Sequence, residues 1–256
     1  MTEIHRIPAD YQPAADLLRD RIILVTGAGA GIGRAVAIAC ARHGATVILL
    51  GKTVAHLEET YDAIEQAGGP QPAIYPFNLA TAAVKEYTDL HDTLSREFGR
   101  LDGVLLNAGV LGERKSVEQT SVEDWDLVMQ VNVTANFLLT RSLLPLLRQS
   151  DAGSLLFTSS SVGRKGRAYW GAYAVSKFAV EGLTQVLADE LENISAIRVN
   201  AINPGATNTE MRRKAYPGEE PSRNPLPEEI VTPYLYLLGP ASAGITGKSF
   251  DAQPPR

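Results

Sequence analysis

The chain has 256 residues, 45% of them hydrophobic, which suffices for one large core or two smaller ones. Its formal net charge of -5, from 24 basic against 29 acidic side chains, leaves no basic surface of the kind that binds nucleic acid. The single cysteine, Cys40, excludes a disulfide framework and a cysteine metal site, and points to a reducing compartment.

Residues 1–20, with Pro8 and Pro13, read as an extended arm, a mobile terminus being the alternative. They carry no apolar stretch of the signal-peptide kind, so a cytoplasmic location is expected. From residue 21 onward, short β-branched runs alternate with longer helical patterns. Residues 21–27 (RIILVTG) form a strand, 32–44 a helix closed by Gly44, and 45–50 the next strand. A helix over 54–66, a strand over 73–79 and an amphipathic helix over 82–98 follow. Residues 101–109 make the fourth strand, 121–148 are helical, 153–161 make the fifth strand and 172–193 a helix. Within that helical stretch the apolar run 137–147 contains Arg141 and Pro145. It falls short of the roughly 18 residues of a membrane span, so no membrane association is expected.

Residues 196–205 make the sixth strand. The polar stretch 206–227 follows, with four prolines and no strong period. Its place past a strand's carboxyl end favours a substrate lid over a disordered loop. A helix near 227–238 and a short strand over 248–252 end the pattern. Strands apolar on both faces, each followed by a helix, predict a parallel sheet covered on both sides. With right-handed crossovers this is an α/β, doubly wound Rossmann sheet of about seven strands, in one domain over 21–256.

The first strand runs into TGAGAGIG, residues 26–33. Gly27, Gly31 and Gly33 allow positive φ and close backbone approach, and the helix that follows turns its N–H groups toward an anion. No Lys-Ser or Lys-Thr follows, which argues against a nucleotide triphosphatase; the position after a first strand favours a dinucleotide pyrophosphate. After the second strand stand Gly51 and Lys52, with no carboxylate for a ribose 2′-hydroxyl. An ammonium there suits a 2′-phosphate, so NADP(H) is expected over NAD(H), the alternative for Lys52 being a solvated loop lysine. Arg34 does not discriminate between the two.

Six segments in order carry a resemblance: TGAGAGIG (26–33), NAG (107–109), VNV (131–133), SSSVG (159–163), YAVSK (173–177) and NPGATNT (203–209). Over about 21–252 the chain resembles the short-chain dehydrogenase/reductase family, and in detail its YciK-like bacterial members, whose substrate is unassigned. The resemblance implies that Gly27, Gly29, Ala30, Gly31, Ile32 and Gly33 surround the pyrophosphate, and that Asn78 and Leu79 lie by the adenine. It implies that Asn107, Ala108 and Gly109 wall the adenosine half, and that Pro204, Gly205, Thr207 and Thr209 line the nicotinamide side. Asn132 would sit on a helix kink and hold a water for proton relay. Ser160, thirteen positions before Tyr173, would be the family serine rather than Ser159 or Ser161. Three positions depart from the family pattern: Asn78 for an aspartate, Ala30 for a basic residue of NADP-preferring members, and Thr207 for a hydrophobic residue.

Tyr173 and Lys177, four apart, share one helix face. Using a phenol of pKa near 10 around neutral pH calls for roughly 4 kcal/mol of differential stabilisation of phenolate, which a fixed ammonium one turn away can supply. Tyr173 is therefore expected as the acid/base of carbonyl–alcohol interconversion, and Lys177 as its partner, also holding the cofactor ribose. Ser160 would hold the substrate oxygen. The rival reading is a dinucleotide-binding regulator or scaffold without turnover. His5, His43, His56 and His91 are scattered without ligand spacing, so no metal is expected. Cys40 reads as packing, and Ser160 lacks the G-x-S-x-G elbow of a hydrolase nucleophile. Tyr169 and Trp170 touch either substrate or a neighbouring subunit. Arg212, Arg213 and Lys214 beside Glu219 and Glu220 read as a solvated charge run, with an anionic substrate as the alternative. The helices over 121–148 and 172–193 resemble family pairing surfaces, implying a homodimer or homotetramer.

Overall fold

The computed structural model describes residues 3–254. Eight strands pair in one sheet, all parallel: β1 (Ile4–His5), β2 (Ile22–Thr26), β3 (Thr46–Gly51), β4 (Ala73–Pro76), β5 (Gly103–Leu106), β6 (Ser154–Thr158), β7 (Arg198–Asn203) and β8 (Ser249–Asp251). Their spatial order is β1-β8-β7-β6-β5-β2-β3-β4. The central strands are buried on both faces, which is why they read as unbroken apolar runs. Alternate side chains feed different cores. Leu24, Val104 and Phe157 pack under α3 (Val84–Phe98), α5 (Ala135–Leu147) and α6 (Gly171–Leu191). Ile23, Val25, Leu105 and Leu156 pack under α1 (Gly31–Arg42), α2 (Val54–Gln66) and α8 (Thr232–Leu238). From β2 the chain winds outward one way and from β5 the other, so a crevice opens at the carboxyl ends between them.

The eighth strand comes from the arm. Ile4 and His5 pair with Ser249 and Phe250 at the edge opposite β4. The ring of Tyr11 meets that of Tyr236 edge-on, 4.9 Å between centroids. Leu18 is completely buried in the α1–α8 core, and its N–H donates to the His43 carbonyl at 2.9 Å. The arm is thus docked, and the count of about seven strands becomes eight. Sequence pattern missed β1 because two residues carry no period; their pairing depends on β8, some 245 residues away.

Predicted strand ends are cut short at the carboxyl side. Residues 77–79, 107–109 and 159–161 leave the ladder and become loops at the crevice. The helical stretch 121–148 divides into α4 (Val122–Met129), one π turn (Gln130–Thr134) and α5. Residues 206–227 carry their own short helix, α7 (Glu210–Ala215), and a 3₁₀ turn (Pro221–Arg223). No helix is long and apolar enough to cross a membrane among the described residues.

Leu18→Ala should lower the unfolding free energy by about 2–5 kcal/mol, the range for a fully buried leucine. Urea titration of wild type and variant measures this; an unchanged midpoint would show that the arm contributes nothing to the core.

Candidate active site

Leu50, on β3, accepts the N–H of Gly27 at 2.8 Å and of Ala28 at 3.3 Å, and so anchors the glycine turn. Gly27 (φ +67°) and Gly31 (φ +53°) hold left-handed conformations. A Cβ on Gly33 would lie 2.2 Å from the Gly27 carbonyl oxygen, so Gly33 packs the turn on itself and is buried behind the crevice. Helix α1 begins with no side-chain cap from Ala30 and no acid in its first turn. Its orphan N–H groups are available to an anion.

A cleft of about 870 Å³ runs from this turn to α7. Gly27, Gly29, Ala30, Gly31, Ile32, Lys52, Asn78, Leu79, Asn107, Ala108, Gly109, Ser160, Tyr173, Lys177, Pro204, Gly205, Thr207 and Thr209 all line it. Gly33 and Asn132 do not. Lys52 is exposed with Thr53 and His56 beside it, and among the described residues it has no carboxylate partner. Arg34 is taken by Glu59 at 3.4 Å.

The floor at the β2–β5 junction rests on a residue that sequence reasoning passed over. The buried Thr26 hydroxyl accepts the N–H groups of Asn107 and Ala108, each at 2.9 Å. Asn107 in turn accepts the Thr158 hydroxyl at 3.2 Å. On the nicotinamide side of the expected site, the Gln253 amide donates to the carbonyls of Pro204 (2.8 Å) and Ala206 (3.0 Å) and to Thr207 Oγ1 (3.2 Å). Thr209 caps α7 by accepting the Arg212 N–H at 3.1 Å.

Asn132 lies in the π turn, fully buried. Its Oδ1 accepts the Val110 N–H at 2.8 Å, and its Nδ2 donates to the Val110 carbonyl at 2.9 Å and to Ser176 Oγ at 3.0 Å. Ser176 donates to the Tyr173 carbonyl at 2.8 Å. Asn132 therefore clamps the loop after β5 to α6, directly behind the tyrosine. Of the three serines, Ser159 is buried and donates to Glu181 at 2.5 Å, and Ser161 starts a 3₁₀ turn. Ser160 lines the cleft with Tyr173, and its hydroxyl pulls the phenol down.

Lys177 Nζ stands 5.5 Å from the centroid of the Tyr173 ring and donates to the Thr158 carbonyl at 2.8 Å. Burial pushes the Tyr173 phenol up to about 12, against the Ser160 hydrogen bond, which pulls it down. Burial also lowers Lys177 to about 8, opposed by the charge of Glu181 one turn on. At the phenol, desolvation thus outweighs the Ser160 hydrogen bond, while the Lys177 ammonium is turned toward the Thr158 carbonyl.

Glu181 heads a buried network that sequence reasoning also missed. It accepts from Ser159, from Ser249 Oγ at 2.9 Å and from Arg164 Nε at 3.2 Å, while Arg164 Nη1 reaches Asp251 at 2.6 Å. Asn203 Nδ2 donates to the same Asp251 oxygen at 2.8 Å. Together these bonds tie α6 to the ends of β6, β7 and β8. Sequence spacing offers no signal for partners 17 to 87 residues apart.

At the cleft's other end, Trp170 is buried against Tyr173 (5.7 Å between centroids) and Tyr216 (5.8 Å). Tyr169, at φ +67°, is exposed and turned away from the cleft lining. Two of the three basic residues are paired in place: Arg212 makes two bonds of 2.6 Å to Glu219, and Lys214 pairs with Glu210 at 2.7 Å, while Arg213 donates to the neutral Asn208 side chain at 2.9 Å. Among the described residues, no three His, Cys, Asp or Glu side chains gather as a metal site requires.

The family model described as short chain dehydrogenase matches residues 21–220. The uncharacterized oxidoreductase YciK of Escherichia coli K12 is 52% identical over 246 residues, covering 96% of this chain and 97% of its own. A short chain dehydrogenase structure from Pseudomonas syringae superposes with a TM-score of 0.94 at 57% identity, covering 95% of this chain and 99% of that one. One from Shigella flexneri 2a, complexed with NADP, gives 0.92 at 51% identity, covering 94% and 100%.

In the cofactor-free protein, phenolate absorbance of wild type minus Tyr173→Phe should stay flat to about pH 10 and rise toward about pH 12. A step near neutral pH would show that Lys177 alone activates the phenol.

Proposed function

The chain belongs to the short-chain dehydrogenase family of oxidoreductases, and from that membership we propose that it is NADP(H)-dependent and interconverts a carbonyl and an alcohol on a small molecule. The observation that carries the reading is one cleft joining an uncapped helix N-terminus and an unpaired lysine to a Ser160–Tyr173–Lys177 cluster. The first two fit a dinucleotide bearing a 2′-phosphate. Gly27, Gly29, Ala30, Gly31 and Ile32 would hold the pyrophosphate, with Gly33 packing the turn, and Lys52 the 2′-phosphate. Asn78, Leu79 and Asn107–Gly109 would flank the adenosine; Lys177, Pro204, Gly205, Thr207 and Thr209 would flank the nicotinamide. When bound, the cofactor supplies or accepts hydride.

The chain's own residues handle the proton. With its phenol pushed up to about 12, Tyr173 keeps its proton at neutral pH, the form that donates to a carbonyl oxygen. Ser160 holds that oxygen within reach of the phenol. Lys177, at about 8, is largely an ammonium at neutral pH and donates to Thr158, with further hydrogens left for a ribose. Asn132 holds the loop and helix that set the spacing of Gly109, Lys177 and Tyr173; a water returning the proton would pass beside it. The buried thiol Cys40 and the use of NADPH both suit the cytoplasm.

The test is NADPH consumption over a carbonyl panel, repeated with NADH. Tyr173→Phe should lose about 10²–10⁴-fold in turnover while binding NADPH as wild type does. Lys52→Glu should weaken NADPH about tenfold or more and leave NADH little changed. Full activity in Tyr173→Phe would overturn the mechanism; NADPH binding without reduction of any carbonyl would favour the regulator. We also infer a homodimer or homotetramer paired through α5 and α6, where Phe137, Phe178 and Val186 stand exposed. Light scattering that reports a monomer would remove that assembly.

A further inference from the structure

Lys52 is not alone in lacking a counter-ion. Of the arginines and lysines lining the cleft, Arg212 and Lys214 are paired with Glu219 and Glu210, and Lys177 is buried one turn from Glu181. Arg114, on the loop after β5, lines the cleft at its Tyr173 end and has no carboxylate partner among the described residues. The acid next to it, Glu113, is taken by Lys115 at 2.6 Å.

The Arg114 guanidinium is nevertheless held in place. Its carbon lies 4.6 Å from the Trp170 ring centroid and 5.1 Å from that of Tyr216, and Nη1 donates to the Ala215 carbonyl. Two aromatic faces and one carbonyl fix the plane; Nε and Nη2 have no acceptor among the described residues. A guanidinium so fixed has paid much of its ordering entropy before a ligand arrives, and two free donors in a fork suit an oxyanion. Trp170 also faces Tyr173, with 5.7 Å between ring centroids. The charged group and the acid/base therefore share one aromatic wall.

We propose that Arg114 recognises an oxyanion, carboxylate or phosphate, carried by the carbonyl substrate, with Trp170 contacting the part of the substrate next to it. This makes Arg114 a specificity-determining residue and the substrate an anionic carbonyl compound or the matching alcohol. In the basic run 212–214, Arg212 and Lys214 are paired with Glu219 and Glu210 and Arg213 does not line the cleft, so the run does not serve this purpose. The assignment rests on reading the cleft as the carbonyl–alcohol site.

The experiment compares anionic and neutral members of matched pairs in NADPH consumption. The carboxylate arm is 4-carboxybenzaldehyde against methyl 4-formylbenzoate; the phosphate arm is glyceraldehyde 3-phosphate against glyceraldehyde. Wild type should favour the anionic member of at least one pair about tenfold or more in kcat/KM, through KM. Arg114→Gln should erase that preference and leave the neutral member within about twofold, and Arg114→Lys should restore part of it. Equal loss on both members, or no preference in wild type, overturns the proposal. Quenching of bound NADPH fluorescence by benzoate, with benzamide as control, separates this from failure of the catalytic reading. Benzoate binding that needs Arg114, without turnover of any aldehyde, would sink the reductase and keep the anion site. Absence of benzoate binding in wild type, without turnover, would sink both.

Discussion

All strands run the same way, and a parallel pair can only be joined by a crossover that carries the chain back to the end of the sheet where the strands begin. Every carboxyl end therefore falls on one side of the sheet, and loops 77–79, 107–109, 159–161 and 203–209 open there together. The chain winds away from β2 in one direction and from β5 in the other, so these two neighbours send their helices to opposite faces. The gap this leaves is the cleft, and the Thr26 hydroxyl holds its two sides in register through Asn107 and Ala108. Without that winding, the glycine turn and the Tyr173 helix would have no common space to face.

Within the cleft, the decisive energy is the cost of taking charge out of water. An ammonium as deeply buried as Lys177 is stable only with strong partners, and here it has a carbonyl and the more distant Glu181. Glu181 is itself enclosed, and it persists because Arg164, Ser159 and Ser249 satisfy it. The same desolvation raises the Tyr173 phenol to about 12, which favours neutral tyrosine.

Charge along the cleft is unevenly settled. Segment 206–227 pairs Arg212 and Lys214 with its own acids, and Arg212 additionally lies 3.7 Å over the Tyr216 ring, which stiffens α7 against the 216–219 turn. Among the described residues that line the cleft, Lys52 at the β3 end and Arg114 at the Trp170 end have no carboxylate partner. Segment 206–227 is thus a built wall with its own helix and ion pairs. Its four prolines and missing period hid this from pattern reading, since six-residue helices carry too little period to detect.

The alternation of apolar runs and helical patterns determined the parallel, doubly wound sheet, because a strand buried on both faces and a helix buried on one leave different local periods. The glycine turn, Lys52 and the Tyr173–Lys177 spacing were legible for a similar reason: each acts within a few residues of itself. What only the tertiary structure decided lies between distant segments. Strand β1 exists because β8 is there to pair with, and Thr26, Glu181 and Arg164 matter through partners brought close by strand order. Trp170 rather than Tyr169 faces the cleft because a positive φ at Tyr169 turns neighbouring side chains apart. The clamp at Asn132 and the protonated state of Tyr173 likewise follow from enclosure, a property of the packed molecule that no short stretch of chain possesses.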